Sequence, residues 1–141
     1  MNESITTKIF VNNEAAIIFE IAAKNIVFVM VKGDLSGSSF RQAGASLIEV
    51  FEKNNTSKLL LNLRNMQFMS KEDQAWASET FPQKLFQLGL RHVATVRPLN
   101  IFSEITLNKI RDEINNKFDS NFKMESFHNE EQALEWLSAF N

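Results

Sequence analysis

The sequence contains no cysteine and no tyrosine among its 141 residues. Without cysteine there can be no disulfide bond, no thiolate nucleophile and no cysteine-ligated metal. Without tyrosine there is no phenol to serve as a general acid. These absences leave few groups for catalysis, and they permit a reducing compartment without requiring one.

Glycine and proline are scarce, at four and two residues, so little of the chain can be linker or low-complexity sequence. No apolar run approaches the roughly 20 residues of a membrane-spanning helix. The N-terminal segment also lacks the charged-then-apolar pattern of a signal peptide. A net charge of −2 with dispersed basic residues gives no reason to expect a nucleic-acid partner. We therefore expect a cytoplasmic protein with one domain, 1–141, and no integral membrane segment.

Apolar residues make up 44% of the chain and include 13 phenylalanines. Runs of β-branched and aromatic residues predict strands at 5–11, 16–22, 26–32, 59–63, 91–96 and 121–127. The first three strands are joined by short turns, which indicates an antiparallel start. The later strands alternate with helical patterns, which implies right-handed crossovers between parallel strands. The predicted fold is α/β, with a mixed, mainly parallel sheet, an antiparallel N-terminal part and about four helices.

Polar residues mark the starts of several predicted helices. Ser70 begins "SKED", a capping-box pattern in which the serine hydroxyl accepts a hydrogen bond from the backbone of Asp73. A later helix is expected to open at Ser103 and Glu104, and Asn129 is expected to cap the last one. Pro82 lies inside the helix that follows Ser70, which predicts a kink or a break there.

Four segments carry a resemblance to a known family. They are "VMVKGDLSGSSF" at 29–40, "LLLNLRNMQFMSKEDQAW" at 59–76, "FPQKLFQLGLRHVATVRP" at 81–98 and "EEQALEWLSAF" at 130–140. In these segments the chain resembles the STAS-like proteins, which include the bacterial sporulation anti-sigma factor antagonists. It is more similar to small bacterial STAS-like domains of uncharacterised function, which are grouped by fold with lipid-transfer CRAL-TRIO domains. The resemblance implies a STAS-like fold and a role in regulatory protein interaction.

Anti-sigma factor antagonists carry the pattern Asp-Ser-Ser-Gly after the equivalent strand, and a partner kinase phosphorylates a serine in it. Aligned on that pattern, Ser70 takes the place of the aspartate and Lys71 that of the phosphorylated serine. Glu72 and Asp73 take the last two places. The resemblance therefore implies a module without the usual phosphorylatable serine. Ser70 is better explained as a helix cap, since Glu72 and Asp73 would repel an added phosphate.

The candidates for an interaction surface or a ligand pocket are Phe68, Ser70, Lys71, Asp73, Trp76, Phe81 and His92. Trp76 and Phe81 either line an apolar pocket beneath Pro82 or belong to the core, which is the commoner place for such residues. His92 begins a strand, but neither histidine has a partner at metal-ligand spacing. We identify no catalytic residue, no metal site and no cofactor-binding motif in the sequence.

Two functions are compatible with these observations. The first is a non-enzymatic module whose surface around 66–76 binds a protein partner or a second copy of the chain. Homodimerisation would use the edge of the opening strands. The alternative is a carrier or sensor of a small apolar, lipid-like ligand, held between the sheet and the helix interrupted at Pro82. An enzyme is the least supported function, because so few nucleophiles are present.

Overall fold

The computed structural model describes residues 7–32, 37–67, 69–118 and 121–140. Within these ranges one sheet is formed by β1 (Thr7–Asn12), β2 (Ala16–Ile21), β3 (Ile26–Val31), β4 (Lys58–Asn62), β5 (His92–Val96) and β6 (Lys123–Phe127). The strands lie in the sheet in the order in which they occur in the chain. β1, β2 and β3 pair antiparallel, and β3 to β6 pair parallel. The prediction of a mixed, mainly parallel sheet with an antiparallel N-terminal part is confirmed.

The helices are α1 (Gly37–Lys53), α2 (Lys71–Ala75), α3 (Phe81–Gln87), α4 (Ile101–Phe118) and α5 (Glu130–Ser138). A π-helical turn, Trp76–Thr80, joins α2 to α3, so that these two form one interrupted helix and the expected four helical units result. In this turn the Phe81 N–H donates to the carbonyl of Trp76, five residues earlier. Pro82 follows directly and has no N–H to donate. The wider turn thus accommodates the proline where the sequence predicted a kink or a break.

The two faces of the sheet are covered by different helices. On one face α1, α3 and α4 bury the larger core, in which Val29, Leu47 and Ile110 take part. On the other face α5 packs mainly on β4, β5 and β6 and buries Ala133 and Leu137. β4 lies between the two layers, which explains its nearly continuous apolar sequence. Among the described residues, no helix is both long enough and apolar enough to cross a bilayer.

Two of the helix ends predicted from the sequence are found in the structure, and a third lies elsewhere. The side chain of Asn129 accepts from the Gln132 N–H at 2.9 Å, as predicted. Gly89, with φ of 112°, follows the end of α3 in a conformation that favours glycine. The predicted start of α4 at Ser103 is wrong, because the helix begins two residues earlier, at Ile101, and is capped by Asn100. Its side-chain oxygen accepts from the N–H groups of Phe102 at 2.8 Å and Ser103 at 3.2 Å.

Candidate functional site

The junction after β4 passes through a loop and enters α2 at Ser70. The Ser70 hydroxyl accepts from the Asp73 N–H at 3.1 Å, so the predicted cap is present. The Gln74 side chain donates to the Met69 carbonyl at 2.9 Å and fixes the last part of the loop. Glu72 and Asp73 lie in the first turn, where the helix dipole favours negative charge. The junction is therefore held by hydrogen bonds between side chains and the backbone.

An ion pair connects this junction to α1. The Arg41 Nε lies 3.3 Å from a carboxylate oxygen of Asp73, whose side chain is buried. The same guanidinium lies over the ring of Trp76, at 4.9 Å from its centroid. Because Arg41 is itself largely exposed, solvent screens its charge and the pair stabilises the fold only modestly. Its effect is to orient α2 against α1.

Trp76 packs directly against the backbone of α1. A Cβ atom placed on Gly44 would lie 2.4 Å from the indole Cη2 of Trp76, so no side chain fits there. Phe81 stacks on the same indole with ring centroids 4.7 Å apart, and Phe40 meets it edge-on at 5.4 Å. Trp76 is thus part of the packing between α1 and the interrupted helix.

An apolar cavity of about 110 Å³ lies between the sheet and the helices α3 and α4. The residues that line it include Leu59, Leu61, Val93 and Met124 on the sheet side, and Phe81, Pro82, Leu85, Leu107, Ile110 and Ile114 on the helix side. An engineered apolar cavity of roughly 150 Å³ binds benzene. The cavity in this protein can therefore hold only a very small apolar molecule unless the helices move apart.

His92 lies at the opposite end of the sheet, where β5 begins. Its ring stacks on Phe140 with centroids 3.6 Å apart and meets Trp136 edge-on at 5.7 Å. Lys58 and Lys123 flank it in register on the neighbouring strands. Burial, and then the positive charges of Lys58 and Lys123, lower the pKa of His92 below its ordinary value.

The structure separates the residues that the sequence singled out. The segment that follows β4 contains Ser70, Lys71, Asp73, Trp76 and Phe81. His92 begins a strand and so lies at the amino ends of the parallel strands, whereas ligands of open α/β sheets bind at the carboxyl ends. Phe68 lies outside the described residues. Among the part of the chain that is described, no three histidine or carboxylate side chains are grouped as metal ligands.

Sequence reasoning missed a surface of exposed apolar residues beside this junction. Leu99, Ile101, Phe102 and Ile105 are 72%, 64%, 77% and 60% exposed, and we call them the α4 patch. The patch adjoins the loop after β4, because the Leu99 N–H donates to the Arg64 carbonyl at 3.1 Å. The sequence signal was available: with α4 beginning after Asn100, helical spacing puts Ile101 and Ile105 opposite the buried Leu107.

Comparison with known proteins agrees with this architecture. A family model described as SpoIIAA-like matches residues 26–138. The chain is similar to the anti-sigma factor antagonist SpoIIAA in its unphosphorylated form, at 15% identity over 89% of this chain and 100% of that one, with a TM-score of 0.61. It is also similar to an uncharacterized Shewanella loihica protein with a SpoIIAA-like fold, at 16% identity over 97% and 99% of the chains, with a TM-score of 0.58. No curated protein matches the chain.

The capping role of Ser70 predicts a specific order of stabilities. Ser70→Ala is expected to lower the free energy of unfolding by about 1 kcal/mol, because it removes the N-cap acceptor. Ser70→Asp keeps an acceptor at that position and is expected to stay close to wild type. Urea denaturation of both variants, with the exposed Ser138→Ala as control, measures this. Equal losses for Ser70→Ala and Ser70→Asp would contradict the capping role.

The environment of His92 predicts a dependence of stability on pH. In the folded protein the pKa of His92 lies below its ordinary 6.5, so the unfolded chain takes up the proton first. Protonation therefore favours unfolding, and stability falls as the pH decreases below 6.5 towards the folded pKa. In His92→Phe, which retains an aromatic ring against Phe140, this loss should be smaller.

Urea denaturation above and below that pH measures the difference between wild type and His92→Phe. His128→Phe, a change at the other, exposed histidine, is the matched control. Equal pH dependence of wild type and His92→Phe would show that His92 does not contribute.

Proposed function

We propose that this chain, which belongs to the SpoIIAA-like family, is a single-domain, non-enzymatic, cytoplasmic module that regulates by binding a protein partner. The observation that carries the proposal is the junction after β4, which presents polar side chains on a backbone fixed by the Ser70 cap. Among the residues of this junction that the structure describes, the exposed ones are Arg64, Asn65, Gln67, Lys71 and Glu72. Hydrogen bonds such as these favour binding, because less conformational freedom is lost when a partner docks on a loop that they already hold.

The charge at this junction is proposed to be constant. Lys71 stands where the resemblance places a phosphorylated serine, and phosphorylation of a serine adds about −1.5 to −2 units of charge. A lysine cannot undergo this change, so docking at this surface would not be controlled by phosphorylation at position 71. The adjacent Ser70 hydroxyl is engaged with the Asp73 N–H, which supports the same conclusion.

Reversal of the charge at Lys71 is expected to weaken partner binding. Lys71 is exposed in the first turn of α2, where a glutamate is favoured by the helix dipole, so Lys71→Glu should leave the fold intact. Tagged wild type is expected to capture a partner from its native host that Lys71→Glu captures several-fold less. Trp76→Ala is unsuitable for this purpose, because Trp76 packs against Gly44.

Lys24→Glu is the matched control for this experiment. Lys24 is exposed in the turn before β3, at the opposite end of the sheet from Lys71. The Lys24→Glu variant should capture the same partners as wild type. Identical partner sets for wild type, Lys24→Glu and Lys71→Glu would count against the junction as the docking surface.

Self-association through the opening strands is part of the same proposal. Within the described ranges β1 is an outer strand of the sheet, and one of its edges pairs with no other described strand. The face of β1 and β2 on the side of α5 also carries apolar side chains, among them Ile9, which is 61% exposed. A second copy of the chain would cover both the edge and this face. Lys8 and the irregular register between Ile9 and Val11 are features that restrain pairing along such an edge.

A second function, the binding of a small apolar ligand, is favoured by the cavity beneath Pro82. Its walls are apolar, and one of them is formed around the π-helical turn by Ala77. Its volume of about 110 Å³ is too small for the acyl chain of a lipid in this conformation. We therefore propose a ligand of benzene size or smaller, with longer chains admitted only if the interrupted helix moves. Turns of this kind are frequent at functional sites.

Benzene is a suitable probe for this cavity. At a free concentration of about ten times Kd, it is expected to raise the stability of the protein by roughly 1.4 kcal/mol. Ala77→Leu fills the cavity and should abolish this increase, whereas Ala75→Leu adds the same volume at an exposed position and should not. Thermal unfolding with and without benzene measures the effect. An unchanged midpoint in the wild-type protein would remove the proposal.

A further inference from the structure

The α4 patch combines exposed apolar side chains with a backbone that is held by hydrogen bonds. Of the large apolar side chains that are most exposed among the described residues, all but Ile9 belong to this patch. Asn100 caps the helix that carries it, and the Ser103 hydroxyl donates to the Gln67 carbonyl at 2.6 Å. A clustered apolar surface that is held in place in this way is typical of a binding site.

The charged residues around the patch are mainly basic. Arg64 is exposed, and its carbonyl accepts from the Leu99 N–H. Lys109 is exposed one helical turn after Ile105. The nearest acidic side chain on α4, Glu104, is paired with Arg97 at 3.8 Å. Further along the helix, Asp112 is paired with Arg111 at 3.3 Å. Glu113 is exposed one turn further along, four residues after Lys109. Close to the four apolar side chains the charge is therefore mainly positive, from Arg64 and Lys109, whereas Glu104 and Asp112 each lie beside an arginine.

We infer that the α4 patch binds an amphipathic helix of a partner protein, with apolar residues on one face and Asp or Glu residues beside them. The four apolar side chains would pack against the apolar face of that helix, and Arg64 and Lys109 would form ion pairs with its carboxylates. This inference rests on the proposed function, since it names the chemistry of the protein partner that docks beside the β4–α2 junction. It also extends the docking surface from that junction to the start of α4.

Two other occupants fit the patch less well. A second copy related by two-fold symmetry would bring Arg64 and Lys109 of one copy close to the same residues of the other, and like charges repel across such an interface. An anionic membrane is usually recognised by clusters of roughly four to eight Lys or Arg residues. Of the basic side chains near this patch, Arg97 and Arg111 lie beside carboxylates, which leaves Arg64 and Lys109, and the whole chain has a net charge of −2.

Site-specific photo-crosslinking in the native host tests the inference on the full chain. The photoreactive residue is introduced at Phe102, at Lys71 in the junction, and at the exposed Asn116 on the same helix as a control. Position 102 is expected to form an adduct with a protein segment that has apolar residues at helical spacing and more acidic than basic residues. Position 116 is expected to form none.

The captured segment is then synthesised as a peptide and its affinity for the protein is measured. Phe102→Asp is expected to lower that affinity by at least about tenfold. An aspartate in the first turn of α4 is favoured by the helix dipole, so this variant should fold. Lys109→Glu is expected to weaken binding and to reduce its dependence on salt. Asn116→Asp adds the same charge elsewhere on α4 and should bind like wild type.

The outcomes separate this inference from the proposed function. An adduct at position 71 with none at position 102 overturns the inference and leaves the proposed function standing. Adducts at neither position overturn both. A lipid adduct, a second copy of the chain, or a segment without excess negative charge at position 102 overturns the inference. An acidic amphipathic segment whose affinity is unaffected by Phe102→Asp overturns it as well.

Discussion

The close contact between Trp76 and Gly44 is the constraint on which the region after β4 depends. The indole occupies the space that any side chain at position 44 would need. Because Phe81 stacks on Trp76, the position of the indole also sets the position of one wall of the cavity. Arg41 reaches across the same contact to Asp73. The Ser70 cap, the π-helical turn and the cavity are therefore positioned together, by the packing of one aromatic ring on a helix backbone.

Much of the fold could be predicted from the sequence, because it follows from local rules. β3 and β4 have nearly continuous apolar residues, as expected for strands covered on both faces. The caps at Ser70 and Asn129 depend on one side chain and a backbone group three residues away, so a short pattern is sufficient to identify them. The alternation of strands and helices then determines the parallel part of the sheet.

The parts of the site that could not be predicted depend on contacts between distant segments. Nothing near Trp76 in the sequence indicates that its ring lies against Gly44 on another helix. Pro82 predicts a kink or a break, and the helix is interrupted there, but the sequence does not indicate that the interruption is a turn with a hydrogen bond spanning five residues. The α4 patch is not evident from the sequence because the capping pattern predicts a helix start at Ser103, which leaves Ile101 and Phe102 outside the helix. A start two residues earlier reveals an apolar stripe on its exposed side.

The identity between strand order in space and strand order in the chain has a consequence for how this protein forms. Every new strand joins the edge left by the one synthesised just before it, and no later segment has to insert between strands already paired. The hairpins of β1, β2 and β3 involve only local contacts and can assemble while the remainder is still on the ribosome. The growing edge is then extended through β4 and β5 and ends at β6. The strands of this sheet can therefore pair one after another in the order in which they are synthesised.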